Sequence, residues 1–434
     1  MIWLILTVAL GLRLIGLDQS LWLDEAISAN VSAMPIKEIV TNFSVNDFHP
    51  PLYYWFLNIW QGLGGREVIF LRFSSIIFSL VTIYFVYLIG KKIKNKQTGI
   101  EAAILVAVNP LFVYFSQELR MYAMATMWLT IALFFLTKIK QKKYNFWDLF
   151  WYNLMSFLAF VTFYGSVFLL AAVGIYWLAK KEIKIFWATS WGVGLAVVMI
   201  WPLLKIQLDN SKVLLTTVTN WSLVLGRVNL KNLLLIPLKF SVGKVSWYPK
   251  YMYYLIGGGW TMVTSWFLLK GNKKVDWLKV LLILPIVLAT LFSFRSPLLQ
   301  YFRFIYLVPI VGIILSINTS KKWQKILIFG VYLIFSLIYL LNQNFYREDW
   351  KSVAKVIESK VYMIESFGDP IKFYNSKIEI VDTKTKIPTE EEIWVIPYGE
   401  VIHGVDHKKI LTGLGYQKRD EKNFREVVVQ QWEK

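Results

Sequence analysis

The stretch EVIFLRFSSIIFSLVTIYFVYLIG (residues 67–90) is followed at once by Lys91, Lys92, Lys94 and Lys96. An apolar run of about twenty residues, wound as a helix, crosses the ~30 Å hydrocarbon core of a bilayer. Lysines at one end mark the cytoplasmic side, where basic loops are retained. The pattern recurs along the chain. Apolar runs occupy 1–17, 67–90, 98–114, 121–137, 147–163, 165–179, 185–203, 251–269, 277–294, 301–318 and 325–342, which predicts eleven transmembrane helices. The first has neither a basic leader nor a small-residue cleavage site, so it reads as a retained span rather than a signal peptide.

Every second loop is basic. After Lys91–Lys96 come Lys138, Lys140, Lys142 and Lys143, then Lys180, Lys181 and Lys184, then Lys270, Lys273, Lys274 and Lys279, then Lys321, Lys322 and Lys325. The short alternate loops carry only Arg120, Arg295 and Arg303. This asymmetry places the N-terminus inside and everything after Leu341 outside, in a multi-pass protein of the cytoplasmic (inner) membrane.

Composition agrees. Of 434 residues 56% are apolar and only 17% charged, against about 25% charged in soluble domains. The net charge of +19 would suggest nucleic-acid binding in a soluble chain. Residues 1–342, however, hold 32 Lys and Arg against 12 Asp and Glu, while 343–434 hold 15 against 16. The excess is therefore an orientation signal, and the expected surroundings are membrane lipids, with no nucleic acid. The absence of cysteine excludes disulfides, thiolate zinc sites and thiol catalysis.

Beyond residue 342 the periodicity changes. A polar helix is expected over Trp350–Lys360, with strands at Ile371–Tyr374, Ile378–Asp382, Ile393–Pro397 and Val427–Gln431, separated by Gly and Pro. The expected fold is an α-helical polytopic membrane domain over 1–342, including outer loops 18–66 and 204–250, with a small α/β domain over 343–434 on the outer face.

The acidic residues of the membrane part are few, so their placement is informative. Glu101, Asp148, Glu182 and Asp276 fall at cytoplasmic span ends, where they meet water. Asp24 and Glu25 follow the first span directly, inside LWLDEA (21–26). Carboxylates set among apolar and aromatic residues at a membrane face are costly to desolvate and point to a site, although a solvated turn anchored by Trp22 has the same spacing. DFHPPLYYW (47–55) adds His49 and Tyr53 beside two prolines that fix an extended entry. NPLFVYFSQELRMY (109–122) bridges two spans outside and supplies Glu118, Arg120 and Tyr122; if its end is helical, Glu118 and Tyr122 share a face. Arg72 enters the second span, and Arg303 opens a late one. An arginine at such a position needs an anionic partner, and a phosphate fits the guanidinium fork, although snorkelling to headgroups would also place it there.

LWLDEA (21–26), HPPLYY (49–54), SQELRMY (116–122) and FYREDWK (345–351) together resemble the GT-C glycosyltransferases. The similarity is to the branch, glycosyltransferase family 39-like, that holds protein O-mannosyltransferases and the aminoarabinose transferase of lipid A. It covers nearly the whole chain in layout, and its specific motifs lie within residues 20–125. Two positions depart from the pattern: some relatives carry Lys where His49 stands, and the late outer motif Arg-Tyr is here Arg303-Phe304.

The resemblance implies inverting transfer of a sugar from a polyprenyl-phosphate donor, undecaprenyl phosphate in a bacterium, to a protein, glycan or lipid acceptor outside. No cofactor or divalent metal is implied. Asp24 would take the acceptor hydroxyl proton, with Glu25 beside it to orient the segment. Arg120, Arg72, Arg303 and His49 would hold the phosphate, and Glu118, Tyr122 and Tyr53 would line the substrate. A phosphate departs without a general acid, so one carboxylate can suffice where glycosidases need two. A polysaccharide polymerase or ligase shares this layout. A lipid or sugar transporter would instead place ionisable groups at the bilayer midplane. In the outer domain, His403, Asp406 and His407 form a weak metal-like spacing.

Overall fold

The computed structural model describes residues 1–434, and each apolar run of the sequence lies on a helix. Six helices are long and apolar enough to cross a membrane: Val68–Ile93, Tyr122–Lys140, Ile183–Thr217, Asp276–Ser293, Tyr301–Asn318 and Lys322–Leu341. The pair Lys96–Ala107 and Pro110–Ser116 is long and apolar enough only when taken together, and it is bent by 65°, as a broken span or a re-entrant loop is. The bend has a local cause. Asn109 interrupts the helix and caps the next one, its side-chain oxygen accepting from the Phe112 N–H, and Pro110 stands at the first helical position, where no N–H is needed. Helices 68–93 and 96–107 cross in contact because both faces carry glycine; a Cβ on Gly90 would stand 2.9 Å from the Cα of Gly99. On Ile183–Thr217, by contrast, Trp187, Leu195, Val198 and Met199 point outward unpaired, as a lipid-facing surface requires.

The loops gather at two ends. At one end every acidic residue has a lysine. Lys325 pairs with Glu101 (2.7 Å), Lys138 with Asp148 (2.6 Å), Lys142 with Glu182 (3.5 Å) and Lys279 with Asp276 (3.0 Å). Glu182 and Asp276 are exposed to water, as expected, whereas the pairs of Glu101 and Asp148 also join different helices.

The opposite end is more structured than outer loops. Residues 18–66 hold the helices Leu23–Val31 and Leu52–Gly64 with a π-helical turn at Ile39–Ser44. The stretch 204–250 is not a loop either. The preceding helix runs on to Thr217 through Pro202, and a further helix covers Leu230–Val242, capped by Asn229.

The C-terminal region folds into one five-stranded sheet, of order β2-β1-β3-β5-β4. Its strands are β1 (Lys360–Met363), β2 (Glu379–Asp382), β3 (Glu392–Val395), β4 (Gln417–Phe424) and β5 (Val427–Glu433). β1 runs parallel to β2 and β3, and β5 runs antiparallel to β3 and β4. Three expectations are corrected. Ile371–Tyr374 belongs to a helix (Asp369–Tyr374), because Pro370 sits at its first turn and a four-residue run carries too little period to separate helix from strand. The helix from Trp350 ends at Val356, and Lys360 already belongs to β1. β4 was missed because QKRDEKNF is an exposed edge strand, polar throughout except for its last residue, Phe424.

The domain does not stand apart from the bundle. Its core of Trp350, Val353, Val361, Met363 and Ile371 includes Leu23 from the first outer segment. His407 is buried and spent locally, paired with Glu400 through Nδ1 and with Thr383 Oγ1 through Nε2 at 2.7 Å, while His403 packs on Phe367. That geometry leaves no metal-ligand pair at 403–407.

Candidate active site

Gly16, at φ +67°, turns the chain out of the first helix. The following residues are held from below by Arg72, which donates from Nη1 to Leu17 O (2.9 Å) and from Nη2 to Ser20 O (2.9 Å). The helix Leu23–Val31 then opens with Asp24 and Glu25 in its first turn, where carboxylates suit the helix dipole. Consecutive helical residues point about 100° apart, and this separates the two acids completely.

Glu25 is fully buried. Its carboxylate accepts from Arg72 Nε (2.9 Å) and Nη2 (2.6 Å) and from the Leu119 N–H (2.7 Å), and Arg347 Nε lies 3.3 Å away. Burial alone would raise its pKa, but the two arginines and the Leu119 N–H hold it below the usual carboxylate range. Arg72, expected as a phosphate ligand, is corrected here. It is 0% exposed and bonded to Glu25 and three backbone carbonyls, so it has no face to offer a substrate.

Asp24 is the open one, with 35% of its side chain exposed and Arg120 Nη2 at 3.5 Å from Oδ2. Arg120 lies in the turn between Ser116 and Tyr122, so Glu118 and Tyr122 do not share a helical face. That turn is anchored by Gln117, which donates to Arg13 O and Ile15 O, and by Ser75, which donates to Glu118 O. Arg120 also reaches Ser28 Oγ (3.3 Å) and Asp24 O (3.4 Å), while its Nε has no partner. Burial works against its charge, and Asp24 and Asp47 help keep it firmly protonated.

Around this pair stand the remaining residues. Arg303 is half-buried, with Tyr122, Asp24 and Arg120 as its charged or polar neighbours. Tyr122 packs edge-on against Phe115, Phe163 and Phe302, forming an apolar floor. Glu118 is buried with Oε2 unpartnered, and burial pushes its carboxyl up to about 7 despite Arg347 nearby. Tyr53 is buried at the same level. His49 faces Asp47, Nδ1 to Oδ1 at 3.3 Å, and Tyr54 donates to the other oxygen of Asp47 (2.9 Å). Burial would raise Asp47, yet His49 and Arg120 hold it below its ordinary value.

Three contributors were not singled out in the sequence. Lys244, beside Tyr301 OH (3.4 Å) and over the Tyr114 ring (5.4 Å), adds an exposed cation on the Glu118 side. It lies among other lysines of 204–250, so composition could not distinguish it. Asp47 appeared only as the first residue of DFHPPLYYW. Arg347 was visible only within FYREDWK.

Chemically, the site offers one accessible carboxylate with the largely buried Arg120 beside it, further cations at half-buried Arg303 and exposed Lys244, and an aromatic floor. The whole is a helical protein with membrane-crossing segments whose fold is similar to that of solved structures over nearly its full length. The family model for dolichyl-phosphate-mannose-protein mannosyltransferases matches residues 48–206. The crystal structure of ArnT from Cupriavidus metallidurans in the apo state superposes with a TM-score of 0.63 at 11% identity, covering 99% of this chain and 97% of that one. The same protein bound to undecaprenyl phosphate gives 0.62. The apo oligosaccharyltransferase of Archaeoglobus fulgidus gives 0.51 at 11% identity, over 89% of this chain and 65% of that one. No curated protein matches the sequence.

Proposed function

We propose that this protein is an inverting glycosyltransferase that moves a sugar from a polyprenyl-phosphate donor to an acceptor hydroxyl at the outer face of the cytoplasmic membrane. The observation that carries the reading is the division of labour at 24–25: Glu25 is buried and fully engaged, while Asp24 stands open beside Arg120. The similarity to the mannosyltransferase model and to the undecaprenyl-phosphate-bound structure supports the donor class.

In the reaction the acceptor oxygen forms its bond to the anomeric carbon as the bond from that carbon to the phosphate oxygen breaks. Asp24 takes the acceptor proton. Arg120, Arg303 and Lys244 face the negative charge that grows on the departing phosphate, and their fixed positions lower its cost in a water-poor site. The polyprenyl phosphate leaves without needing a proton, so no second carboxylate has to act as an acid. A single in-line displacement inverts the anomeric centre.

The test is transfer in proteoliposomes containing a polyprenyl-phosphate sugar with radiolabel in the sugar. A single-residue addition to the acceptor is expected. Label accumulating inside without product would indicate transport, and a ladder of products would indicate polymerisation.

A further inference from the structure

The FYREDWK segment joins the last membrane helix to the outer domain, and its arginine lies deep in the molecule. Arg347 is buried, with its guanidinium 4.4 Å from the Tyr114 ring. It donates from Nη1 to Tyr339 OH and from Nη2 to Tyr114 O, both at 3.3 Å. Its Nε stands 3.3 Å from Glu25 Oε2. Its backbone is fixed on both sides, since the N–H donates to Gln19 Oε1 (3.0 Å) and the carbonyl accepts from Arg425 Nε (2.7 Å). Arg425 lies in the turn between β4 and β5, so one short chain of contacts runs from the sheet to Glu25.

Glu25 in turn touches both halves of the Asp24–Arg120 pair through their neighbours. It is the residue after Asp24, and it accepts from the N–H of Leu119, the residue before Arg120. One buried carboxylate thus sets the separation of the open carboxylate and the cation beside it. The outer domain grips the same segment at three further points: Tyr374 OH with the Leu21 N–H (2.7 Å), Asn30 Nδ2 with Asp369 Oδ1 (2.8 Å), and Leu23 within the domain core.

We propose that Arg347 is a positioning residue for catalysis, through which the outer domain fixes Glu25 and so the geometry of Asp24 and Arg120. The inference rests on the glycosyltransferase reading for its catalytic consequence but not for its structural one. Because Arg72 remains bonded to Glu25, loss of the Arg347 contact leaves the buried carboxylate neutralised. Arg347 variants are therefore expected to fold with a slack site rather than to collapse. Displacement of a reacting group by about 1 Å typically costs on the order of 100-fold in rate.

The experiment compares wild type, Arg347→Gln and Arg347→Lys in nanodiscs, with two readouts. The first is kcat and donor KM for transfer from a polyprenyl-phosphate sugar. The expected result for Arg347→Gln is a kcat lowered by about 10- to 100-fold with donor KM within about twofold of wild type, and partial recovery of kcat in Arg347→Lys. The second readout, independent of activity, is amide hydrogen exchange, which is expected to accelerate in residues 20–30 and 117–121 of Arg347→Gln while the helices stay protected. An Arg347→Gln enzyme with wild-type kcat, or with unchanged exchange in those two segments, overturns the proposal. If wild type itself transfers no sugar, the catalytic reading fails and exchange alone decides the coupling. If Arg347→Gln does not insert, Arg347→Lys, which keeps the buried charge, carries both readouts, and wild-type behaviour in both overturns the proposal.

Discussion

Arg72 Nη2 and Glu25 Oε2 lie 2.6 Å apart with neither side chain exposed. The pair ties a membrane helix to the segment that carries Asp24, and Arg347 stands as a second cation beside the same carboxylate. Removing the Arg72 guanidinium strips hydrogen bonds from Glu25 and from three buried backbone carbonyls, each acceptor left unsatisfied costing about 1–3 kcal/mol. Arg72→Met should therefore lower the thermal unfolding temperature sharply in detergent, and Glu25→Gln added to it, which leaves buried Arg347 without its carboxylate, should not restore the loss. Arg72→Met with wild-type melting would show that the segment is held by something else.

Glu118 makes stability depend on pH. Its carboxyl is raised from an ordinary 4.5 to about 7 in the folded protein. Between those values the native state keeps a proton that the unfolded chain has released, so stability falls as pH rises, by at most about 1.4 kcal/mol per pH unit. Its contribution is complete below the unfolded value and lost as pH passes the folded one. Glu118→Gln stays neutral throughout. Its melting temperature should thus match wild type near pH 4.5 and exceed it progressively up to pH 8; parallel curves would refute the buried neutral carboxyl.

The accessible cations should govern donor affinity. Arg303→Met and Lys244→Met are each expected to raise the donor KM, and the inhibition constant for free polyprenyl phosphate, by roughly 10-fold, the scale of one charge-assisted hydrogen bond at about 1.5 kcal/mol. Higher salt should weaken the wild type more than either variant. Inhibition by polyprenyl phosphate that is insensitive to both substitutions would remove these residues from the phosphate site.

Much of this was legible in the chain because apolar periodicity is local. The run at 67–90 and its lysines located a helix and its basic end without any tertiary information, whereas the break at Asn109-Pro110 fell inside a run read as one span, 98–114. Roles at the site were less legible. Arg72 and Arg303 look alike in sequence, each beginning an apolar run, yet one is sealed against Glu25 and the other is left half-buried. Only packing decides between them. Lys244 reaches the site from a stretch distant in sequence, and β4, an exposed edge, shows no apolar alternation, only a terminal Phe424. Asp24 and Glu25 could be separated in principle, because adjacent helical residues face different ways; which of them is buried depended on where Arg72 and Arg347 stand.

The measurement that bears most directly on the account is transfer by Asp24→Asn. This change removes the proton acceptor while keeping size and hydrogen-bonding shape, and Asp24 is partly exposed, so the fold should be retained. Transfer from a polyprenyl-phosphate sugar should fall by about 10²- to 10⁴-fold, the usual contribution of a positioned general base, with donor binding and melting temperature close to wild type. Wild-type turnover by Asp24→Asn would contradict the assignment of Asp24 as the base, and with it the mechanism built on this site.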